Sequence, residues 1–212
     1  YFTLLQEKKS AFLGTIHKLD AKQDLVPYKL FADWMVTPRI GVEATWDRME
    51  AATITSIDGH SDGDLTLDGP ILTLFTKLPI ETGAQRPIEF SAGAGIAYFQ
   101  ADFEATPWWH HGFAYPRPHY QIAEAAYADW VAAGSPPYPN NGYTRTITPD
   151  DAFGIVLTGD CAVEITPEWA LDLYLRYTYV EVDVTYTLAY YGDPDRIEHA
   201  TFPMSNVAGG IG

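Results

Sequence analysis

The stretch WALDLYLRYTYVEVDV, Trp169–Val184, alternates with a period of two. Its odd positions read Trp169, Leu171, Leu173, Leu175, Tyr177 and Tyr179, and its even positions Ala170, Asp172, Tyr174, Arg176 and Thr178. Successive side chains of a strand point to opposite faces. One face here is therefore apolar and ends in aromatics, while the other carries an Asp and an Arg. Two settings accept such a strand. In a soluble barrel, such as a lipocalin-like binder, the apolar face turns inward and the charges meet water. In a membrane barrel the apolar face meets lipid and the polar face lines the interior. Beyond Tyr179 the odd positions become Glu181 and Asp183, so the strand is expected to leave the apolar layer there and continue into water.

The pattern recurs along the chain. Period-two alternation predicts strands at about 9–18, 26–36, 39–49, 65–80, 88–103, 152–165 and 169–184, with an eighth from about 201 to the end. Short turns follow the second, fourth and sixth strands, at Thr37-Pro38, Glu81–Pro87 and Thr166–Glu168. The connections after the third, fifth and seventh strands read as longer, about 15 to 50 residues. The link after the first strand is short and stands outside this alternation. Short turns on one rim and long loops on the other are the layout of an outer-membrane barrel. The apolar stripes run for about 9–11 residues, the length with which a tilted strand crosses the hydrocarbon. The expected fold is all-β: an eight-stranded antiparallel transmembrane up-and-down barrel. It forms one domain over residues 1–212, its last strand incomplete at Gly212. Residues 104–150 form a long third extracellular loop.

Composition narrows the function classes. Hydrophobic residues make up 47% of the chain, too many for a disordered segment. Aromatics make up 14%, a richness common where a protein meets a membrane–water interface. The formal net charge of −15 repels phosphates and excludes nucleic acid as a partner. A single cysteine, Cys161, excludes an internal disulfide; it falls on the apolar phase of its strand and reads as a small apolar residue. No run of 18 apolar residues is present, so no transmembrane helix is expected. No signal peptide is visible, and an opening at YFTLLQEKKS without Met is what a processed form would show.

The alternation assigns each strand residue a face. Tyr28, Trp34, Trp46, Tyr98, Trp169, Tyr177 and Tyr179 lie near the ends of apolar stripes. Aromatic tips there keep a polar atom at headgroup level, so these seven are expected to form an aromatic girdle. The opposite face is small or charged. It carries the acids Asp33, Glu43, Asp47, Glu89, Asp160, Glu164 and Asp172 and the bases Lys29, Lys77 and Arg176. An eight-stranded barrel is just wide enough for its own side chains, and buried charges must be paired. These ten are therefore expected to form an interior charge network. The competing reading is an acid-lined path that favours cations.

The long loop holds PWWHHGFAYPRPHY, Pro107–Tyr120. Trp108, Trp109, His110, His111, Tyr115, Tyr120 and, further on, Trp130 read as an interaction patch, because Trp and Tyr dominate interface hot spots. Adjacent His110 and His111 would point apart on a strand, and no further ligand accompanies them and His119 at a spacing that suits zinc. No metal or other cofactor is expected. The spacing within Ile122–Gly134 predicts a short amphipathic helix stopped by Gly134. No Ser, His and acid fall at catalytic spacing, so no catalytic residues are assigned and the chain reads as a non-enzyme.

Several segments resemble a known family. AFGIVLTGDCAVEITPEWALDLYLRYTYVEVDV, residues 152–184, looks like the sixth-to-seventh strand hairpin of the OmpW family of outer-membrane barrels, within the OmpA-like superfamily; the matching residues are Gly154, Trp169, Asp172, Arg176 and Tyr177. RPIEFSAGAGIAYF, Arg86–Phe99, resembles its fifth strand, and TPRIGVEATW, Thr37–Trp46, its third. The resemblance implies an eight-stranded barrel in the outer membrane of a Gram-negative bacterium. It implies a narrow channel for small, hydrophobic solutes. Three features depart from it: the charged strand interiors, a long insertion from about Glu104 where the family has a shorter third loop, and the missing aromatic at the carboxy terminus. The alternative reading is a structural or interaction barrel with a plugged, charged lumen, whose residues 105–150 bind a protein partner or another copy. Outer-membrane lipid is an expected partner under both readings.

Overall fold

A computed structural model describes residues 2–5, 9–12, 15–21, 31–55, 61–80, 88–106, 132–134, 143–166, 169–190 and 195–211. Among the described residues twelve strands form one sheet, and every pairing in it is antiparallel. In chain order they are β1 (Phe2–Leu5), β2 (Lys9–Phe12), β3 (Thr15–Ala21), β4 (Phe31–Met35), β5 (Ile40–Thr55) and β6 (Ser61–Ile80). There follow β7 (Ile88–Ala105), β8 (Tyr143–Pro149), β9 (Ala152–Thr166), β10 (Trp169–Tyr190), β11 (Arg196–Pro203) and β12 (Asn206–Ile211). The path of pairing runs β1-β12-β10-β9-β7-β6-β5-β3-β2, with β4 on β5 and β8 and β11 on β10.

Several of the twelve are successive pieces of one stave. β3 pairs with residues 51–55 of β5 and β4 with residues 41–45. β9 pairs with residues 169–180 of β10 and β8 with residues 184–190. β12 and β11 likewise divide the other edge of β10. Merged in this way, the strands follow one another around the sheet in chain order. The path of ladders is open, and its two ends, β1 and β2, are neighbouring pieces of the first twelve residues.

The sheet is rolled. Arg176 on β10 and Asp47 on β5 form an ion pair although β9, β7 and β6 lie between their strands. Four strand spacings in a flat sheet would hold them about 19 Å apart. Asn206 on β12 also reaches across, to Met49 Sδ on β5. Such contacts form only on the concave face of a curled sheet. The convex face exposes Leu72, Leu74, Ile96, Phe153, Ile155 and Leu175, with Ile96 at 63% and Phe153 at 76%. A soluble barrel would have turned these side chains inward.

Along each long strand the alternation persists while the apolar face changes sides. On β10, Leu171 to Tyr179 face outward in an apolar row, after which Glu181 and Asp183 take the outer face. Inside, Asp172, Tyr174, Arg176 and Thr178 give way to Val180, Val182, Val184 and Tyr186. β5 repeats this: Trp46 precedes outward Arg48, while Asp47 precedes buried Met49 and Ala51. The interior thus has a polar half and an apolar half. The apolar half is the hydrophobic core, built around Leu65, Leu67, Phe99, Val182, Phe202 and Met204.

This exchange of faces accounts for the departures from the expected layout. β5 runs to Thr55 and β6 starts at Ser61, so the third connection is only residues 56–60 rather than a long loop. β10 runs to Tyr190 and β11 begins at Arg196, which shortens the seventh in the same way. The expected loop over 104–150 loses its end to β8, whose Arg145 and Ile147 are buried, and its start to β7. The predicted first strand, at about 9–18, is a hairpin of β2 and β3. In the extensions of β5, β7 and β10 charges face outward and apolar residues inward, the reverse of the apolar outward stripes that precede them. Of the predicted loop helix, the structure describes only Ala132–Gly134; Gly134 has φ 81°, a left-handed conformation natural to glycine.

Candidate functional site

The polar half of the interior is built from alternate residues of β5, β6, β7, β9, β10 and β12. Its centre is the Asp47–Arg176 ion pair, with side chains 8% and 1% exposed. Arg176 sits on β10 between Leu175 and Tyr177, both outward, so the period of two drives its guanidinium inside. Its Cζ lies 6.0 Å from the Tyr174 ring centroid, within reach of a cation–π contact. Nearer the short turns, Lys77 pairs with Glu89 at 2.7 Å, and Ser91 donates to Asp160 at 2.7 Å. Glu43 accepts from Thr45 Oγ1 at 2.9 Å.

The expected ten-residue network is thus resolved into smaller groups. Asp47 meets Arg176, and Lys77 meets Glu89. Asp172 lies on the same inward face, while Asp33 and Glu164 are exposed. Lys29 lies outside the described residues. No reading of β10 alone selects Asp47 as the partner of Arg176, because the pair spans the roll of the sheet. Tyr174, Arg145 and the apolar outer half were not singled out from the sequence. The signal for that half was present, in the inward phase of Met49-Ala51-Thr53 and Val180-Val182-Val184.

On the outer face, Trp34 is 73% exposed, Trp46 59%, Trp169 72%, Tyr177 40% and Tyr179 45%. Tyr28 lies outside the described residues, as do Trp108, Trp109, His110, His111, Tyr115, Tyr120 and Trp130. Where the apolar row ends, three aromatics find carboxylates. Trp46 Nε1 donates to Asp68, the Tyr98 hydroxyl donates to Asp151 at 2.5 Å, and Tyr179 hydrogen-bonds Glu181. Asp151 has a second task. The β7–β9 ladder ends at Phe99 and Ala152, and the Asp151 carboxylate accepts the backbone N–H of Ala101 just beyond, at 3.3 Å. The Tyr98 and Phe153 rings pack beside it with centroids 5.1 Å apart.

Among the described residues, no three His, Cys, Asp or Glu side chains gather where they could hold a metal ion. No described helix is long and apolar enough to cross a membrane, which has no bearing on strands.

A rolled antiparallel sheet with an apolar outward band around the polar half of its interior defines a protein of the β-barrel kind. Among solved structures, the outer membrane protein OprG from Pseudomonas aeruginosa has this fold: the likeness covers 98% of this chain and 90% of that one, with a TM-score of 0.55 and 12% sequence identity. At that identity the likeness shows the fold alone. No family model matches the chain, and no curated protein matches it by sequence.

Proposed function

We propose that this protein spans the outer membrane of a Gram-negative bacterium as an OmpW-like barrel and serves as a narrow conduit for small solutes rather than as an enzyme. The observation that carries this reading is the exchange of faces along β5, β6, β7 and β10. The apolar outward row on β10, Trp169–Tyr179, is about 11 residues long. At ~3.4 Å per residue and ~40° tilt it spans about 28 Å, close to the apolar band of outer-membrane barrels. Beyond it the wall stands in water, charged outside and apolar inside. The exposed Trp and Tyr residues at the two ends of the row suit the headgroup layers, and the carboxylates of Asp68, Asp151 and Glu181 hold three of them at one level. A solute entering from the long-loop side meets the apolar half first, which favours small molecules with apolar parts. It then meets the Asp47–Arg176 crossing, which acts as the gate.

One observation favours a second reading. Arg176 is 1% exposed and Phe99 and Phe202 are fully buried, as in an interior packed shut. Under that reading the barrel is a structural or interaction protein, and residues 107–142 recruit a partner or a second copy. Single-channel conductance in a planar bilayer separates the two. Steady conductance by the folded protein, raised by Asp47→Asn, supports the conduit. Silence from folded wild type and variant alike refutes it in favour of the plugged barrel.

A further inference from the structure

One register row midway along the interior carries buried polar atoms that nothing in the packing satisfies. Glu43 on β5 faces Thr73 on β6, and Thr73 faces Gly95 on β7. Gly95 faces Val156 on β9, Val156 faces Thr178 on β10, and Thr178 faces Asn206 on β12. Thr73, Thr178 and Asn206 are 1%, 0% and 2% exposed, and the adjoining Ser205 is 3% exposed. Thr73 Oγ1, Thr178 Oγ1, Ser205 Oγ and Asn206 Oδ1 have no hydrogen-bond partner. A buried hydroxyl or amide oxygen left in this state is costly and rare, so four along and beside one register row call for a shared explanation.

The charged groups nearest them are already engaged. The Asn206 amide nitrogen is engaged by Met49 Sδ, which leaves its oxygen as an acceptor. Arg176, one step along β10 from Thr178 on the same face, is matched by Asp47. The carboxylate in the row, on Glu43, accepts from Thr45. What is offered inward is three hydroxyls, each able to donate and accept, and one carbonyl oxygen. Gly95 belongs to this arrangement: a Cβ there would stand 2.8 Å from Thr73 Oγ1 and 2.2 Å from the Leu72 carbonyl oxygen. A side chain at that position would displace the Thr73 hydroxyl from the row.

We propose that this row is the solute-recognition site of the conduit and that it takes an uncharged solute bearing a carboxamide or hydroxyl group. The proposal rests on the conduit reading above. A passing solute displaces packed side chains here, and an amide, which both donates and accepts, satisfies hydroxyls and carbonyl together. An ion is disfavoured, because it loses water in the apolar half and then finds Arg176 and Asp47 already paired. Donors and acceptors lining a constriction set selectivity in other membrane pores in the same way.

The test compares three probes on one scaffold: neutral N-acetylglycinamide, anionic N-acetylglycine and cationic glycinamide. Entry into vesicles containing the full chain is read by osmotic swelling. The neutral probe enters at least about tenfold faster than either ion, the scale on which hydrogen-bonding sites discriminate. Thr178→Val and Asn206→Leu each slow it several-fold, and Thr178→Ser, which keeps the hydroxyl, restores it. Thr178→Val folds with an unchanged or higher melting temperature, because it removes an unpartnered hydroxyl. A merely structural hydroxyl would leave the ranking of the three probes untouched. Equal entry of all three, fastest entry of the cation, or indifference to both variants overturns the recognition site and leaves the conduit standing. Entry of none of the three, with folding verified, removes the conduit and the site with it.

Discussion

Replacing Arg176 with methionine removes the cation from the centre of the barrel and keeps most of its volume. Asp47 then keeps a side chain 8% exposed and loses the Arg176 guanidinium opposite it. Breaking a buried ion pair from one side costs about 3–5 kcal/mol, chiefly the desolvation of the orphaned charge. At an m-value of about 2 kcal/mol per molar urea, this lowers the unfolding midpoint by about 1.5–2.5 M. The paired variant Asp47→Leu/Arg176→Met leaves no orphaned charge and is expected within about 1 kcal/mol of wild type, or above it. Urea titrations of the reconstituted protein, followed by the gel shift between folded and heat-denatured forms and by tryptophan emission, give both values. Arg176→Ala should lose the shift more readily still. A single variant as stable as wild type would refute the reasoning, and so would a double variant as weak as the single one. Either result would mean that Arg176 is not buried against Asp47.

Further expectations follow from the same geometry. Lys77→Ala should cost under about 1 kcal/mol by the same titration, because the Lys77–Glu89 side chains are 33% and 42% exposed. Gly95→Ala should cost about 1–3 kcal/mol, since its Cβ would press on backbone at Leu72 and Thr73, whereas Gly159→Ala meets nothing within 4 Å and should be neutral. In lipid vesicles, brominated acyl chains should quench Trp34, Trp46 and Trp169, all on the outer face; unquenched emission from variants retaining one of them would contradict the assignment of faces. Deleting residues 105–150 should unfold the outer half, because buried Arg145 and Ile147 go with it; an unchanged melting temperature would contradict their burial.

The period-two pattern by itself determined a great deal about this protein. It located β6, β7, β9 and β10 to within a few residues over most of their length, and it assigned Leu171, Leu175, Trp46 and Tyr98 to one face and Asp47, Asp172 and Arg176 to the other. Side-chain alternation is a local property of an extended chain, so any stretch of ten residues displays it. Where the apolar phase changes sides, at Arg48, Gln100 and Glu181, the same local rule still holds, but the outward apolar stripe ends before the strand does. β8 lay hidden in the long connection because its inward residues, Arg145 and Ile147, form no apolar stripe. The tertiary structure alone decided which inward residues meet. Asp47 and Arg176 stand 129 positions apart in the chain, and Asn206 and Met49 stand 157 apart. Their encounter depends on how far the sheet rolls and how each strand is staggered against the next, quantities set by every ladder together and by none of them singly.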